Sequence, residues 1–473
     1  VLHTVDVGDL AVSAYRHVVP DEIMDPLLDL ARELRGARIL HVSATPYGGG
    51  VSELLRSAVP LYTDLGLPAT WKIISGRPPF FTVTKKMHNA LQGSLEPLTT
   101  ADIALYEETA ERNAAELAAD PQFAGTDFVF VHDPQPVPLL AYAGRDHRSW
   151  IWRCHIDTSE PDPATWSYLA GFADHYDAAV FTMAEFVPPD LDPGRVEIIP
   201  PAIDPLSPKN MSLDDRTARA VLNWIGIETD RPLITQISRF DPWKDPLGVI
   251  EAYRLVRAEV PGVQLALAGS MALDDPEAWD IYRTISEAAQ SDPGIHLFTN
   301  LTGVGNVEVN AFQRLSDVMV QKSLREGFGL VVSEAMWKGT PVVAGRAGGI
   351  PLQMADGAGG LLVDSVAGCA EAVVDLLTGR ARAAVLAAAG RERVRKHFLL
   401  PRLLLDELTL LAGLRAGNRP GSLRTAGDGR DPECGMTVAA GPGIPLDQDG
   451  RHYRFCSHRC RDAFRSRRKE VSA

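Results

Sequence analysis

Cysteine is scarce in this 473-residue chain: there are five, at Cys154, Cys369, Cys434, Cys456 and Cys460. They are too few and too unevenly spaced for a disulfide framework. Positive charge is also short, with 47 Lys and Arg against 61 Asp and Glu and a formal net charge of -14. A general nucleic-acid binder needs a basic face against the phosphate backbone, so nucleic acid is not an expected partner. No apolar run approaches the roughly 18 residues of a membrane-spanning helix. The opening VLHTVDVGDL lacks the basic stretch and hydrophobic run of a secretory signal. The expectation is a cytoplasmic protein with no membrane partner. Two nucleotide fingerprints are missing as well. Neither G-x-G-x-x-G nor G-x-x-x-x-G-K-[ST] occurs, which leaves a nicotinamide oxidoreductase or a P-loop ATPase poorly supported.

What is present is an α/β pattern. The length exceeds what one core organises and implies two or three domains. The stretch ARILHVSA at 37–44 reads as a buried strand, followed by the turn TPYGGG and a helix from VSELLRSAVPLYTDLG. Strand, glycine loop and helix open a parallel sheet with crossover helices. Strand-like runs follow at 70–74, 127–132, 149–155, 178–182 and 196–200. Most are apolar on both faces, as in a sheet covered on each side. The Pro-rich IIPPAIDPLSPKN, near 198–210, reads as a domain boundary. A second set of strands then appears at 232–238, 263–269, 295–299, 317–321 and 341–345, with helices between them and an alanine-rich helical stretch at 366–395. The expected fold is two Rossmann-like parallel-sheet domains facing a cleft, residues 1–203 and 204–415, the last helix being a candidate to cross back to the first domain. A linker at 416–430 and a small module at 431–473 complete the chain.

Candidate site residues cluster at strand ends, where open α/β sheets bind ligands. Gly48, Gly49 and Gly50 lie between strand and helix, where a backbone without Cβ atoms lets a phosphate approach. Asp133 follows the strand FVFVH, and His155 follows SWIWRC. His132 reads as a residue turned into the domain, and Cys154 as a small buried one. In the second half, Arg239 and Lys244 stand in SRFDPWKDP, where positive charge can meet a departing diphosphate. REGFGLVVSEAMWKG places Glu326 before a flexible GFG and Glu334 inside the next helix. Two turns, about 12 Å, suits two hydroxyl-bearing parts of one elongated ligand better than a proton-transfer pair. The N–H groups of Phe328 and Gly329 suit phosphate oxygens.

Together, HVSATPYGGGVSELL, HDPQ, WRCHID, SRFDPWKDP and SLREGFGLVVSEAMWKGTPVVAG resemble the retaining GT-B glycosyltransferases of family GT4. Within them the chain is most similar to the trehalose-forming synthases, over roughly residues 35–410. The resemblance implies transfer of glucose from a nucleoside diphosphate glucose to glucose, giving α,α-trehalose. It implies an acceptor-side first domain, a donor-side second domain and a homodimer. Arg239 and Lys244 would grip the diphosphate in place of a divalent ion, so no cofactor is expected in the main cleft. Glu326, with the backbone at Phe328 and Gly329, would hold the donor glucose, and Glu334 the ribose. His155 would touch the transferred sugar near its 6-hydroxyl, Gly49 and Gly50 would lie beside the donor phosphates, and Asp133 would be an acceptor-side candidate. No residue stands out as a nucleophile, and the resemblance implies a front-face route in which the leaving phosphate takes the acceptor proton. The alternatives are a related enzyme with a sugar phosphate or glycerate acceptor, and a non-catalytic metal-binding or sensory protein. The donor base stays open among ADP, UDP and GDP.

The tail, DPECGMTV and then HYRFCSHRCRDAF, resembles small YHS or TRASH-like metal-associated domains. Cys456 and Cys460, four apart, share one face of a helix, and Cys434 would join them from a hairpin. Three thiolates suit zinc or copper(I). His458, His452, Met436 and a water all remain candidates for the fourth ligand.

Overall fold

The computed structural model describes residues 2–191, 196–270, 276–289 and 292–417, together with 431–433, 444–448, 451–455, 461 and 464–465. The chain forms two compact units, Val1–Pro201 with Leu400–Ala473, and Ala202–Leu399.

The first unit is built on a seven-stranded sheet. Its strands are β1 (His3–Thr4), β2 (Ile39–Ser43), β3 (Ala69–Ile73), β4 (Phe128–His132), β5 (Ser149–Arg153), β6 (Ala178–Phe181) and β7 (Val196–Ile198). The spatial order is β1-β3-β2-β4-β5-β6-β7. Every pairing is parallel except that of β1 with β3. The chain moves outward in one direction from β2 to β3 and in the other from β4 onward, so the order reverses between β2 and β4. Such a switch point leaves a crevice at the carboxyl ends of the strands. Side chains alternate across a strand. Leu40, Val42, Val129, Val131, Trp150 and Trp152 therefore face the main apolar core, while His41, Phe130, His132 and Arg153 share the opposite parity.

The closing helix Leu400–Arg415 belongs to this unit and packs against the helices Asp21–Glu33 and Gly50–Asp64. Leu403, Leu404, Leu408 and Leu411 are fully buried. At roughly 2 kcal/mol for each buried leucine, that face anchors the helix more firmly than its helix propensity could. The same helix buries charge. Arg402 pairs with Asp406 at 2.8 Å and donates to the carbonyls of Pro200 and Pro201. Glu407 pairs with Arg153 at 3.2 Å and accepts from the Tyr62 hydroxyl.

The second unit carries β8 (Leu233–Arg239), β9 (Gln264–Ser270), β10 (Ile295–Thr299), β11 (Val318–Gln321), β12 (Val342–Gly345) and β13 (Gly360–Val363). They form an all-parallel sheet in the order β10-β9-β8-β11-β12-β13, with its reversal between β8 and β11. Leu265 and Leu267 of β9 enter one apolar cluster, and Ala266 and Ala268 enter another. Both faces are thus covered, which is why these strands read as continuous apolar runs. β13 and the short antiparallel β1 escaped the sequence pattern. The alanine-rich stretch at 366–395 forms two helices, Val366–Thr378 and Arg380–His397, because Gly379 leaves helical backbone between them.

In the tail, β14 (Ile444–Gln448) and β15 (Arg451–Phe455) pair antiparallel. The rings of Tyr453 and Phe455 lie 4.8 Å and 5.3 Å from that of Phe464. Cys434, Cys456 and Cys460 lie outside the described residues.

Candidate active site

In the second unit the site grows from the two strands that flank the sheet reversal. Arg239 is the last residue of β8, and its exposed guanidinium lies 3.6 Å from Asp241. Asp241 caps the short turn Pro242–Lys244 by accepting from the Trp243 N–H. The loop is then tied down from four sides. Gln236 donates to the Lys244 carbonyl at 2.7 Å, and the Leu324 N–H donates to the Trp243 carbonyl at 2.7 Å. Arg325 stacks over the Trp243 ring at 5.5 Å, and Lys322 pairs with Asp245. These contacts fix the loop after β8 against the loop after β11.

The result is a direct ion pair between Lys244 and Glu326, with Nζ 2.8 Å from Oε2. The Ser323 hydroxyl and the Gln321 amide donate to the same oxygen, at 3.2 Å and 3.4 Å. Glu326 Oε1 takes no partner among the described residues. A carboxylate held this way presents one oriented acceptor to a hydroxyl-bearing ligand. Beyond it, Gly329 at φ +82° starts the helix Leu330–Trp337 without a side-chain cap among the described residues. The first-turn N–H groups of such a helix favour an anion. Phe328 is buried against Phe398, and Gln353 ties down the carbonyls of Phe328 and Gly329.

Gly348 and Gly349 belong to none of the motifs above, yet they shape this loop. A Cβ on Gly348 would lie 1.7 Å from the Glu326 carbonyl oxygen, and its φ is +48°. The Gly349 N–H donates to the Gly327 carbonyl at 2.9 Å. The only sequence signal was a second glycine pair after a strand.

Glu334 sits apart from the Lys244–Glu326 pair, in a cluster of its own. It is buried, accepts from Gln313 at 2.8 Å and faces Lys209 at 3.4 Å. Lys338 closes the cluster through Asn210 and Gln313, each at 2.7 Å. Burial pushes the Glu334 carboxyl up, but Lys209, Lys338 and Gln313 outweigh it and hold it below its ordinary value. Burial pushes the Lys338 ammonium down to about 7, against the pull of Glu334.

In the first unit, Gly48 at φ +83° turns the chain after β2. The expected three-glycine loop is shorter than read, because Gly50 is already the first helical residue and Gly49 its cap. The Ser52 hydroxyl donates to the Gly49 carbonyl at 2.8 Å and stitches that helix start. Asp133 follows β4 at φ +63°, and its Oδ1 accepts the His155 N–H at 2.8 Å. Burial pushes the Asp133 carboxyl up to about 7, against that hydrogen bond and the Arg153 charge. The residue itself is part exposed.

His155 is the end of a row of three imidazoles. His41 Nδ1 lies 3.1 Å from His132 Nε2, and His132 Nδ1 lies 3.1 Å from His155 Nε2. The rings stack with centroids 5.3 Å and 5.4 Å apart. Burial and the Arg153 charge hold all three below the ordinary histidine range, His41 down to about 3. His132 does turn into the domain, but as a link. His41 carries no sequence signal of its own, because its strand reads as plain core. Cys154 is buried, and burial holds its thiol well above the usual range. Among the described residues, no group of three or more His, Cys, Asp or Glu could hold a metal ion.

Residues 41–188 match the trehalose synthase N-terminal domain family, and residues 222–393 match glycosyl transferases group 1. A trehalose synthase from Rubrobacter xylanophilus is 51% identical over 416 residues, covering 87% of this chain and 99% of that protein. The chain belongs to the trehalose synthase family. It is accordingly a glycosyltransferase of trehalose metabolism. A trehalose synthase from Thermococcus litoralis is 46% identical, covering 72% of this chain and 82% of that one. The α,α-trehalose-phosphate synthase of Burkholderia xenovorans, solved with glucose-6-phosphate, superposes with a TM-score of 0.64 at 17% identity, over 80% of this chain and all of that chain. The fold of this family member is GT-B.

Proposed function

We propose that the enzyme makes α,α-trehalose from a nucleoside diphosphate glucose and glucose, with retention of configuration. The observation that carries this reading is the Lys244–Glu326 pair beside the uncapped helix at Gly329, at the reversal of the β8–β13 sheet. Glu326 Oε1 accepts from the donor glucose hydroxyls, and the helix N-terminus with Arg239 and Lys244 meets the diphosphate. Charge develops on the leaving phosphate as the C1–O bond breaks, and fixed cations and N–H dipoles stabilise it there. The acceptor hydroxyl then forms its bond to C1 on the same face, and its proton passes to the departing phosphate oxygen. The two-carboxylate retaining scheme needs a nucleophile close behind C1; neither Glu326 nor Glu334 is assigned that part, since one is bound to Lys244 and the other buried with Lys209. The positive groups replace a divalent cation in this scheme. In this scheme Glu334 holds the ribose hydroxyls of the donor, His155 touches the transferred sugar, and Asp133 serves the acceptor. A homodimer working in the cytoplasm completes the reading.

The acceptor is tested by offering glucose, glucose-6-phosphate and glycerate separately with ADP-, UDP- and GDP-glucose, and following nucleoside diphosphate release. Release that depends on glucose supports the reading. Release only with the phosphorylated or carboxylated acceptor contradicts it.

A further inference from the structure

Each imidazole in the row His41–His132–His155 is neutral, because burial and Arg153 oppose a second proton. Each ring therefore carries one N–H, and each N···N contact of 3.1 Å needs one N–H and one lone pair. Only two arrangements satisfy both contacts. In one, every ring is protonated at Nδ1: His41 donates to His132, and His132 donates to His155. In the other, every ring is protonated at Nε2 and the donation runs back toward His41. The row thus has a direction, and its two ends always take opposite characters.

The buried end decides between them. His41 is 1% exposed, and its Nε2 has no hydrogen-bond partner among the described residues. The second arrangement would strand an N–H there, whereas the first leaves only a lone pair. Orphaned buried N–H groups are the rarer case. The charge of Arg153, which acts on His41, also prefers a lone pair to a proton nearby.

We infer that His41 and His132 are positioning residues which fix His155 in its Nδ1–H form, so that His155 offers a hydrogen-bond donor to an oxygen of the bound substrate. His155 is the part-exposed end of the row, and its Nδ1 takes no partner among the described residues. Its backbone is held independently, through the N–H bond to Asp133. An isolated imidazole could present either a donor or an acceptor by exchanging tautomers; the two buried rings remove that choice. The proposal rests on the function above only for the nature of that oxygen, a sugar hydroxyl.

The test is a long-range nitrogen–proton correlation spectrum of the full chain labelled in its histidines, assigned with single-residue variants. The expected result is a protonated Nδ1 and bare Nε2 on His41, His132 and His155. In H132L the His155 tautomer relaxes to a mixture, and kcat/KM falls roughly tenfold, the scale of one lost hydrogen bond. H132N, whose amide can still donate toward His155, retains more activity than H132L, the reverse of what packing alone would give. Where H132L does not fold, H41F keeps a ring against Phe130 without a nitrogen and shows the same loss of a single tautomer. A protonated Nε2 on His155 in the native chain, or an unchanged His155 tautomer in a folded H132L or H41F, overturns the inference. The expected tautomers with no glucosyl transfer from any donor would overturn the function and leave the histidine row standing.

Discussion

Replacing Glu407 with leucine isolates the charge buried beneath the first sheet. Glu407 and Arg153 are each 2% exposed and 3.2 Å apart. Taking one partner away leaves the other charge buried without compensation, which costs about 3–5 kcal/mol. Arg153 would retain its bond to the Ile199 carbonyl, which answers one of its donors but not its charge. Removing both charges is a different matter. In R153M/E407L the desolvation cost disappears with the pair, and what remains is the unmatched Tyr62 hydroxyl, which E407L loses as well, and the unmatched Ile199 carbonyl, each about 1–3 kcal/mol. The double variant should therefore be more stable than E407L alone. Urea unfolding followed by fluorescence reads this unit, since Trp71, Trp150 and Trp152 are fully buried in it while Trp224 is 90% exposed. A loss below about 1 kcal/mol in E407L, or a double variant at least as unstable as the sum of the singles, would refute the reasoning.

Further outcomes follow from the two sites. Lys338 is held at about 7 in the fold against 10.5 as its ordinary value, so between those values the unfolded chain binds a proton the folded one has released. Its contribution makes stability rise with pH across that window, and K338M should flatten the slope in melts taken across it. D133A should lose roughly 1–2 kcal/mol from left-handed strain and the lost hydrogen bond from the His155 N–H, while D133N, which tolerates that backbone and still accepts, should melt close to the parent. G348A should abolish transfer without unfolding the chain, because a methyl group there displaces the Glu326 carbonyl; normal activity would mean the 326–329 loop is not fixed as described. K244M should lower kcat about a hundredfold or more, the cost of one preorganised charge, and its activity, like the parent's, should be indifferent to chelators.

The sheet strands were legible because strands buried on both faces read as apolar runs, and because glycine and proline punctuate the turns. The strands β1 and β13 were not: β1 is only two residues long, and β13 opens on Gly360 directly after Gly357 and Gly359, which read as a turn. Glu326, Lys244 and Arg239 stood out as charges at strand ends beside glycine. Their pairing did not, because it depends on register between β8 and β11, set by a contact over some eighty residues of sequence. His41 stayed hidden for the same reason. Its role comes from its parity on β2 against β4 and β5, and no local pattern separates such a histidine from core. The surroundings of Glu334 were only partly visible: Lys338 stands four residues on, at the end of the same helix, but Lys209 and Gln313 reach it from distant segments.

The most direct test of the account incubates the full chain with glucose and each nucleoside diphosphate glucose and reads the disaccharide by proton NMR, for the parent and for E326Q. The account predicts a single α,α-linked product with the parent and its collapse in E326Q. A β-linked product would contradict retention, and an undiminished yield in E326Q would contradict the place given to Glu326.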